Sequence, residues 1–342
     1  MTSSSIHATD KHRVLYSGFR WEHHDDESGY HHVVVSGADY VDGGQLWGSD
    51  GSVRSLRRRL NFIMIDLLTI VRAVPYRAVL LFYPEQTSYV SPLILRLMGK
   101  RVVYVVHLGE DYWMHRDGSL VRKLKRFNLR FVDKFITLTS QQQAVFERDF
   151  PGRVARISHG AWCRNDKAEH SNSSSRSCRI AVVGDTYRDY RLLERILVFF
   201  EHRYPEVMFD LVGMKPERLK DVHAHANVIC HRRLSREAYG EVLRGALFML
   251  LPLQFATANN ALLEALTAGL PVICSDVEGA REYLPEGDYV FDSIDDLAIK
   301  FEYRLTLPQA DRDKEARMLI SYARKNYSWE VIRERVHQYC LA

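Results

Sequence analysis

The sequence predicts an α/β protein made of two doubly wound domains in series, and three observations carry that expectation. Short β-branched runs alternate with longer segments of helical period through most of the 342 residues. This is the pattern of βαβ units with right-handed crossovers. Several runs, Val102-Val-Tyr-Val-Val106 among them, are apolar without alternation, as befits parallel strands buried on both faces. A polar, serine-rich break at Asn165–Ser177 then interrupts the pattern, which restarts at Arg179. The break reads as an interdomain linker.

Taken in order, the first half should form strands at Arg13–Ser17, His32–Ser36, Ala78–Tyr83, Arg101–His107, Lys134–Thr139 and Val154–Ser158. Each is a β-branched or aromatic run bounded by turn residues. Segments with the 3.6-residue period near 53–74, 88–98, 119–131 and 141–148 should be the helices between them. After the linker, Arg179-Ile-Ala-Val-Val-Gly184 opens a second series, with strands at Phe209–Val212, Asn227–Cys230, Leu247–Leu251, Val272–Ser275 and Tyr289–Phe291. Its helices are expected at 190–203, 235–245, 259–268, 293–305, 311–326 and 328–340. The expected division is residues 1–164, a linker at 165–177, a second domain at 178–325 and a helical tail at 326–342. No short-period repeat is present. In such sheets ligands collect beyond the carboxyl ends of the strands, so the loops after strands are where chemistry should lie.

Composition narrows the class. At 46% hydrophobic residues the chain can bury enough surface to fold, and its glycines and prolines follow no collagen-like period. The net charge of +4 divides unevenly, with +6 on residues 1–170 and −2 on the rest. The five cysteines (Cys163, Cys178, Cys230, Cys274, Cys340) are odd in number and show no C-x-x-C spacing. That argues against a disulfide framework or zinc ribbon and for a reducing compartment. The first residues, M-T-S-S-S-I-H-A-T-D-K-H-R, lack the apolar core of a secretory signal. No apolar run is long enough to span a bilayer. A cytoplasmic protein is expected.

The segment Leu250–Asp276 is the most informative. A buried strand ends at Pro252, and a loop of small residues, Ala256-Thr-Ala-Asn-Asn260, leads into a helix. Thr257 or Asn259 can cap that helix. Small side chains at Thr257, Ala258, Asn259 and Asn260 would let a phosphate reach the first-turn amides, where the helix dipole favours negative charge. Glu264, one turn further on, could accept hydrogen bonds from ribose hydroxyls beyond the phosphates. In the first half, Val103-Tyr-Val-Val-His-Leu-Gly-Glu-Asp-Tyr-Trp113 runs from a buried strand into His107. A histidine there is either a hydrogen-bonded core residue or a site residue. Asp111 and Glu110 are the alternatives for a general base acting on a hydroxyl.

The turn Ser17–His32 is rich in His23, His24, Asp25, Asp26, His31 and His32, but adjacent pairs do not match metal-ligand spacing on a helix, and no metal is expected. Basic residues cluster twice, as Arg54, Arg57, Arg58 and Arg59 before the apolar Leu60–Val71, and as Arg122, Lys123, Lys125, Arg126 and Arg130 among Leu120, Val121, Leu124 and Phe127. Such mixtures fit either a core stripe with a solvated basic back or a face resting on anionic lipid. No DNA- or RNA-binding motif accompanies them, so nucleic acid is not an expected partner.

Glu264-Ala-Leu-Thr-Ala-Gly-Leu-Pro-Val-Ile-Cys-Ser-Asp-Val-Glu-Gly279 resembles the E-A-x-A-x-G-x-P-V stretch of GT-B glycosyltransferases, most of all the retaining group called family 4. Arg179–Gly184, Phe209-Asp-Leu-Val-Gly213, Thr137-Leu-Thr-Ser140, Arg156-Ile-Ser-His-Gly160 and Tyr327-Ser-Trp-Glu330 resemble further elements of that family in the same order. The resemblance implies two Rossmann-like domains facing across a cleft, the first for the acceptor and the second for a nucleotide-sugar donor. It implies that the last helix crosses back to the first domain and that no cofactor or metal is obligatory. It also implies that Ser28 and Gly29 lie beside the donor phosphates and that His107 faces the transferred sugar. Two departures stand out. Ala256 occupies the place of the first Glu of the family's Glu-x(7)-Glu pair, leaving Glu264. The family's basic pair after the first donor-domain strand is replaced by Gly184-Asp-Thr-Tyr-Arg-Asp-Tyr-Arg191, which makes Arg188 and Arg191 the candidates for the diphosphate.

The expected activity is therefore transfer of a hexose from a UDP- or GDP-sugar to a hydroxyl of a lipid-linked sugar or surface-polysaccharide intermediate. The site would be peripheral to the inner face of a membrane. A non-catalytic nucleotide-sugar-binding protein and a sugar-nucleotide epimerase are the alternatives.

Overall fold

The computed structural model describes residues 13–21, 29–46, 56–113, 119–163, 178–218, 225–232 and 234–342. The chain forms two compact units, one over Met1–Gly160 and Tyr327–Ala342, the other over Ala161–Asn326. The expected linker at 165–177 lies outside the described residues.

The first unit contains, in chain order, β1 (Val14–Trp21), β2 (Tyr40–Leu46), α1 (Leu56–Arg72), β3 (Ala78–Leu81), α2 (Pro84–Thr87), α3 (Ser91–Leu97), β4 (Arg101–Val106), α4 (Glu110–Trp113), α5 (Leu120–Asn128), β5 (Lys134–Thr137), α6 (Ser140–Asp149) and β6 (Val154–Arg156). Its strands form one parallel 6-stranded sheet in the order β2-β1-β3-β4-β5-β6. The second unit contains β7 (Arg179–Val183), α7 (Tyr190–Arg203), β8 (Met208–Val212), β9 (Val228–His231), α8 (Arg236–Gly245), β10 (Phe248–Leu251), α9 (Asn260–Ala268), β11 (Val272–Ser275), α10 (Glu278–Arg281), β12 (Val290–Phe291), α11 (Ile294–Thr306) and α12 (Gln309–Tyr327). Its parallel sheet runs β12-β11-β10-β7-β8-β9. The final helix, α13 (Trp329–Leu341), belongs to the first unit.

The continuously apolar runs are buried on both faces: every residue of β3 and β10, and Val102 to Val106 of β4, is within the core. Helix α7 shows how the second unit closes over its sheet. Asp189 caps it by accepting the Leu192 N–H at 2.9 Å, and its stripe of Leu193, Ile196, Leu197 and Phe200 is buried. Each such side chain contributes roughly 1.5–3 kcal/mol. The last helix is tied to the first sheet by polar contacts. Tyr16 Oη meets His337 Nδ1 at 2.9 Å, and Arg101 Nη1 donates to the Cys340 and Leu341 carbonyls at 3.0 and 2.6 Å. Gly160 admits the Trp329 ring, which a Cβ would meet at 2.4 Å.

One expected strand is corrected. His32–Ser36 is not extended: Tyr30–Val33 forms a 3-10 turn, and the edge strand is β2. The Val33-Val-Val35 run signalled a strand by propensity alone, whereas Asp42-Gly-Gly44 gave no strand signal. Tertiary packing overrides both, since Gly43 lets Ile65 of α1 approach β2, with Ile65 Cδ1 2.2 Å from where a Cβ would stand. All five cysteines are free thiols, Cys274 and Cys340 buried.

Each sheet reverses strand order at one place. In the first unit it lies between β1 and β3, and in the second between β7 and β10. Loops leaving the carboxyl ends of such neighbours diverge and leave a crevice.

Candidate functional site

In the first unit the crevice gathers residues from four loops. After β1, Gly29 adopts φ 114°, a conformation that suits glycine. It places Tyr30 edge-on to His107 and His159, with ring centroids 4.9 and 5.2 Å apart. Tyr83, from the end of β3, lies 4.6 Å from the His107 ring, and its hydroxyl accepts the Tyr30 N–H at 3.3 Å. His107 itself follows β4. Both its ring nitrogens are buried without a hydrogen-bond partner. Burial, with His159 nearby, pushes the imidazole down to about 3, and burial pushes His159 down to about 4. Both rings are neutral at physiological pH.

Beneath His107 sits a residue that sequence reasoning missed. Glu85 is buried, and its Oε1 accepts the His107 and Leu108 N–H groups at 2.7 and 3.2 Å. Its Oε2 has no hydrogen-bond partner, and burial pushes the carboxyl up to about 7. Lys125 of α5, pushed down to about 8 by burial, donates to the Glu85 main-chain carbonyl and, at 2.8 Å, to that of Gln86. A buried polar atom left unpaired costs about 1–3 kcal/mol. His107 and Glu85 bring such atoms together in one loop cluster. Asp111 falls in α4, and its side chain is outside the described set, as is Glu110's. Ser28, His23, His24, Asp25 and Asp26 lie outside the described residues. Among the described residues no group of three or more His, Cys, Asp or Glu is placed to hold a metal ion.

In the second unit two loops are zipped together at the strand reversal. Arg188 and Leu253 form an isolated antiparallel bridge, the Asp189 N–H donates to the Pro252 carbonyl at 2.9 Å, and the Gln254 N–H donates to the Tyr187 carbonyl at 3.0 Å. Gly184, at φ 84°, makes the turn out of β7. Arg188 folds back under that turn, its Nε donating to the Val183 carbonyl at 3.1 Å and its Nη1 to that of Thr186 at 3.3 Å. Burial pushes the guanidinium down to about 10, so it stays charged at neutral pH. Arg191 lies exposed in the first turn of α7 and is not drawn to this cluster.

The second loop ends in α9. Asn259, not Thr257, is the cap: its Oδ1 accepts the Leu262 N–H at 3.2 Å. Thr257 is buried, while Ala258, Asn259 and Asn260 are half-buried at the helix N-terminus. Glu264 stands one turn along and accepts a hydrogen bond from Tyr239 Oη of α8 at 2.8 Å. Ala256 is buried.

Residues 176–305 match the sequence profile of the group 1 glycosyl transferases. The chain is similar in fold to Anabaena Alr3699/HepE in complex with UDP, at TM-score 0.68 and 13% identity over 95% of this chain and 98% of that one. The lipopolysaccharide outer core galactosyltransferase WaaB matches at TM-score 0.59 and 13% identity, covering 89% of this chain and 85% of that one. TarM matches at TM-score 0.63 and 13% identity over 81% of this chain. This chain spans only 58% of TarM's length. No curated protein sequence matches significantly. The fold is GT-B, and the match to the group 1 glycosyl transferases lies within the second unit.

Within the GT-B fold, the structure brings Gly29 and His107 together in the first unit and Gly184, Arg188 and the Thr257–Asn260 loop together in the second. It leaves Arg191 apart. Glu85 and Tyr239 are the additions. Glu85 left a faint signal, a carboxylate directly after a buried strand and Pro84. Tyr239 left none, since its role depends on α8 lying beside α9.

Proposed function

We propose that the protein transfers a sugar from a nucleoside-diphosphate sugar to a hydroxyl acceptor. The observation that carries this reading is the second unit's pair of zipped loops, which join the turn holding the buried cation of Arg188 to the segment that leads into the N-terminus of α9. In this reading the Thr257–Asn260 amides hold the diphosphate, whose developing charge on departure is stabilised by the helix N-terminus and the fixed Arg188 charge. Glu264, oriented by Tyr239, accepts the ribose hydroxyls. In the first unit, neutral His107 hydrogen-bonds the transferred sugar, with Glu85 holding the loop that carries it. Asp111 is the candidate base for the acceptor hydroxyl. No metal enters this scheme, so EDTA should leave turnover unchanged.

The donor is proposed to be a UDP- or GDP-hexose, and the acceptor a glycan or lipid-linked sugar of a surface polysaccharide, met at the cytoplasmic face of a membrane. HepE was solved with UDP, and WaaB is named a galactosyltransferase of lipopolysaccharide outer core. Both fit this class. Ala256 favours one competing reading, a protein that binds a nucleotide sugar without transferring it. Release of nucleoside diphosphate that depends on an acceptor separates the two. Release supports transfer, and tight binding without release supports the competitor.

A further inference from the structure

Helices α1 and α5 are turned inside out. Helix α1 buries Arg58, Asp66 and Thr69 with Phe62 and Ile65. It leaves Leu60, Met64, Leu67, Leu68 and Val71 in solvent, Val71 at 69% exposure. Helix α5 buries Lys125 and Asn128 while exposing Val121, Leu124, Phe127 and, at 83%, Leu120. Arg58 and Lys125 therefore leave the basic clusters expected from sequence. Arg54 lies outside the described residues.

Main-chain hydrogen bonds hold this inverted arrangement. Asp66 accepts the N–H groups of Tyr89 (3.1 Å), Val90 (2.8 Å) and Ser91 (3.3 Å). Asn128 Nδ2 donates to the Tyr89 carbonyl at 2.7 Å, and Lys125 Nζ lies 4.4 Å over the Tyr89 ring. Both helices are thus pinned to one segment, and Val90 is exposed at the join. Each helix presents exposed apolar side chains beside the segment that pins both.

The charges on the exposed face of each helix are of one sign. Apart from Asn61, the polar side chains reaching solvent are Arg57, Arg59 and Arg72 on α1 and Arg122, Lys123 and Arg126 on α5. Neither helix exposes a carboxylate, since Asp66 is buried. A second copy of the chain seated on this face would set cation against cation. An apolar patch of this extent with a cationic fringe fits a surface that is itself apolar within and anionic at its rim.

We propose that the α1–α5 face docks on an anionic lipid bilayer, with its leucines and Phe127 at the acyl boundary and its arginines and Lys123 at the phosphates. This deepens the membrane part of the function proposed above and holds whatever the chemistry. Flotation of the full chain with phosphatidylcholine vesicles, with and without roughly one third phosphatidylglycerol, tests it. The protein should float with the anionic vesicles only, and less at high salt. Leu67→Glu with Leu124→Glu, both at exposed positions, should lower flotation by about tenfold or more, with circular dichroism and nucleotide affinity unchanged. The proposal is overturned by wild type that stays with the aqueous phase, by equal flotation with neutral vesicles, or by a double variant that floats like wild type. A solution dimer dispersed by the double substitution would assign the face to a second copy instead. Nucleotide binding measured on the same preparation reports separately on the proposed transfer.

Discussion

The two units bury charge in different ways. In the second, buried ionised groups meet opposite charges. Asp210 accepts Arg179 Nε at 2.8 Å and lies 2.8 Å from His231 Nε2, and Arg304 grips Glu315 at 2.7 and 3.0 Å. In the first, Asp66, Glu85 and Lys125 are bound chiefly to main-chain N–H and C=O groups. The difference matters because an ion pair can be replaced as a pair, whereas backbone groups remain after the side chain is gone. Charges of the first kind fasten elements together, and charges of the second kind shape loops. Arg188 is the second unit's example of the loop-shaping kind, and it lies at the candidate site.

Substitution should expose this contrast most strongly at Asp66. Asp66→Ala leaves three amides unpaired and should cost on the order of 3–5 kcal/mol in denaturant unfolding. Replacing Arg304 and Glu315 together by Met and Leu should cost about 1 kcal/mol or less. Equal losses at the two places would erase the distinction.

The next effect is in pH dependence. The folded Glu85 carboxyl is held near 7 against an ordinary value of 4.5, so between those values the folded state keeps a proton that the unfolded chain has lost. Its stabilising contribution is complete below about 4.5 and disappears as pH rises through 7, on the order of 3 kcal/mol in all. Thermal melts from pH 5 to 8 should show that loss in wild type, and Glu85→Gln should flatten it. His107 and His159 act in the opposite direction. Held neutral when folded, they favour the folded state above 6.5 and penalise it as pH falls towards 3 to 4.

A smaller change is expected at Tyr239. Tyr239→Phe removes one hydrogen bond to Glu264 and should weaken nucleotide binding by about 1 kcal/mol, roughly fivefold. Isothermal titration resolves that difference.

The same contrast explains what the sequence disclosed. The parallel strands and the helices of the second unit were legible because continuous apolar runs and 3.6-residue stripes report burial directly, as in α7. The start of α9 and its cap at Asn259 were legible because the loop's small residues run straight into a helix. In α1 and α5 the period was equally clear, but period specifies that a helix has two faces without saying which one turns inward. Only the partners at Tyr89 to Ser91 and at Glu85 decide that. Glu85 escaped notice for a related reason, since a carboxylate after a proline reads as a solvated turn until β4 is placed beside it.

Titration of the intact chain with UDP and GDP, beside Glu264→Ala, tests the central claim most directly. Wild type should bind at least one of the two, and the variant should bind it at least about tenfold more weakly with an unchanged circular dichroism spectrum. Equal affinities for the two proteins, or no binding of either nucleotide by wild type, would contradict the assignment of the α9 loop as a donor site.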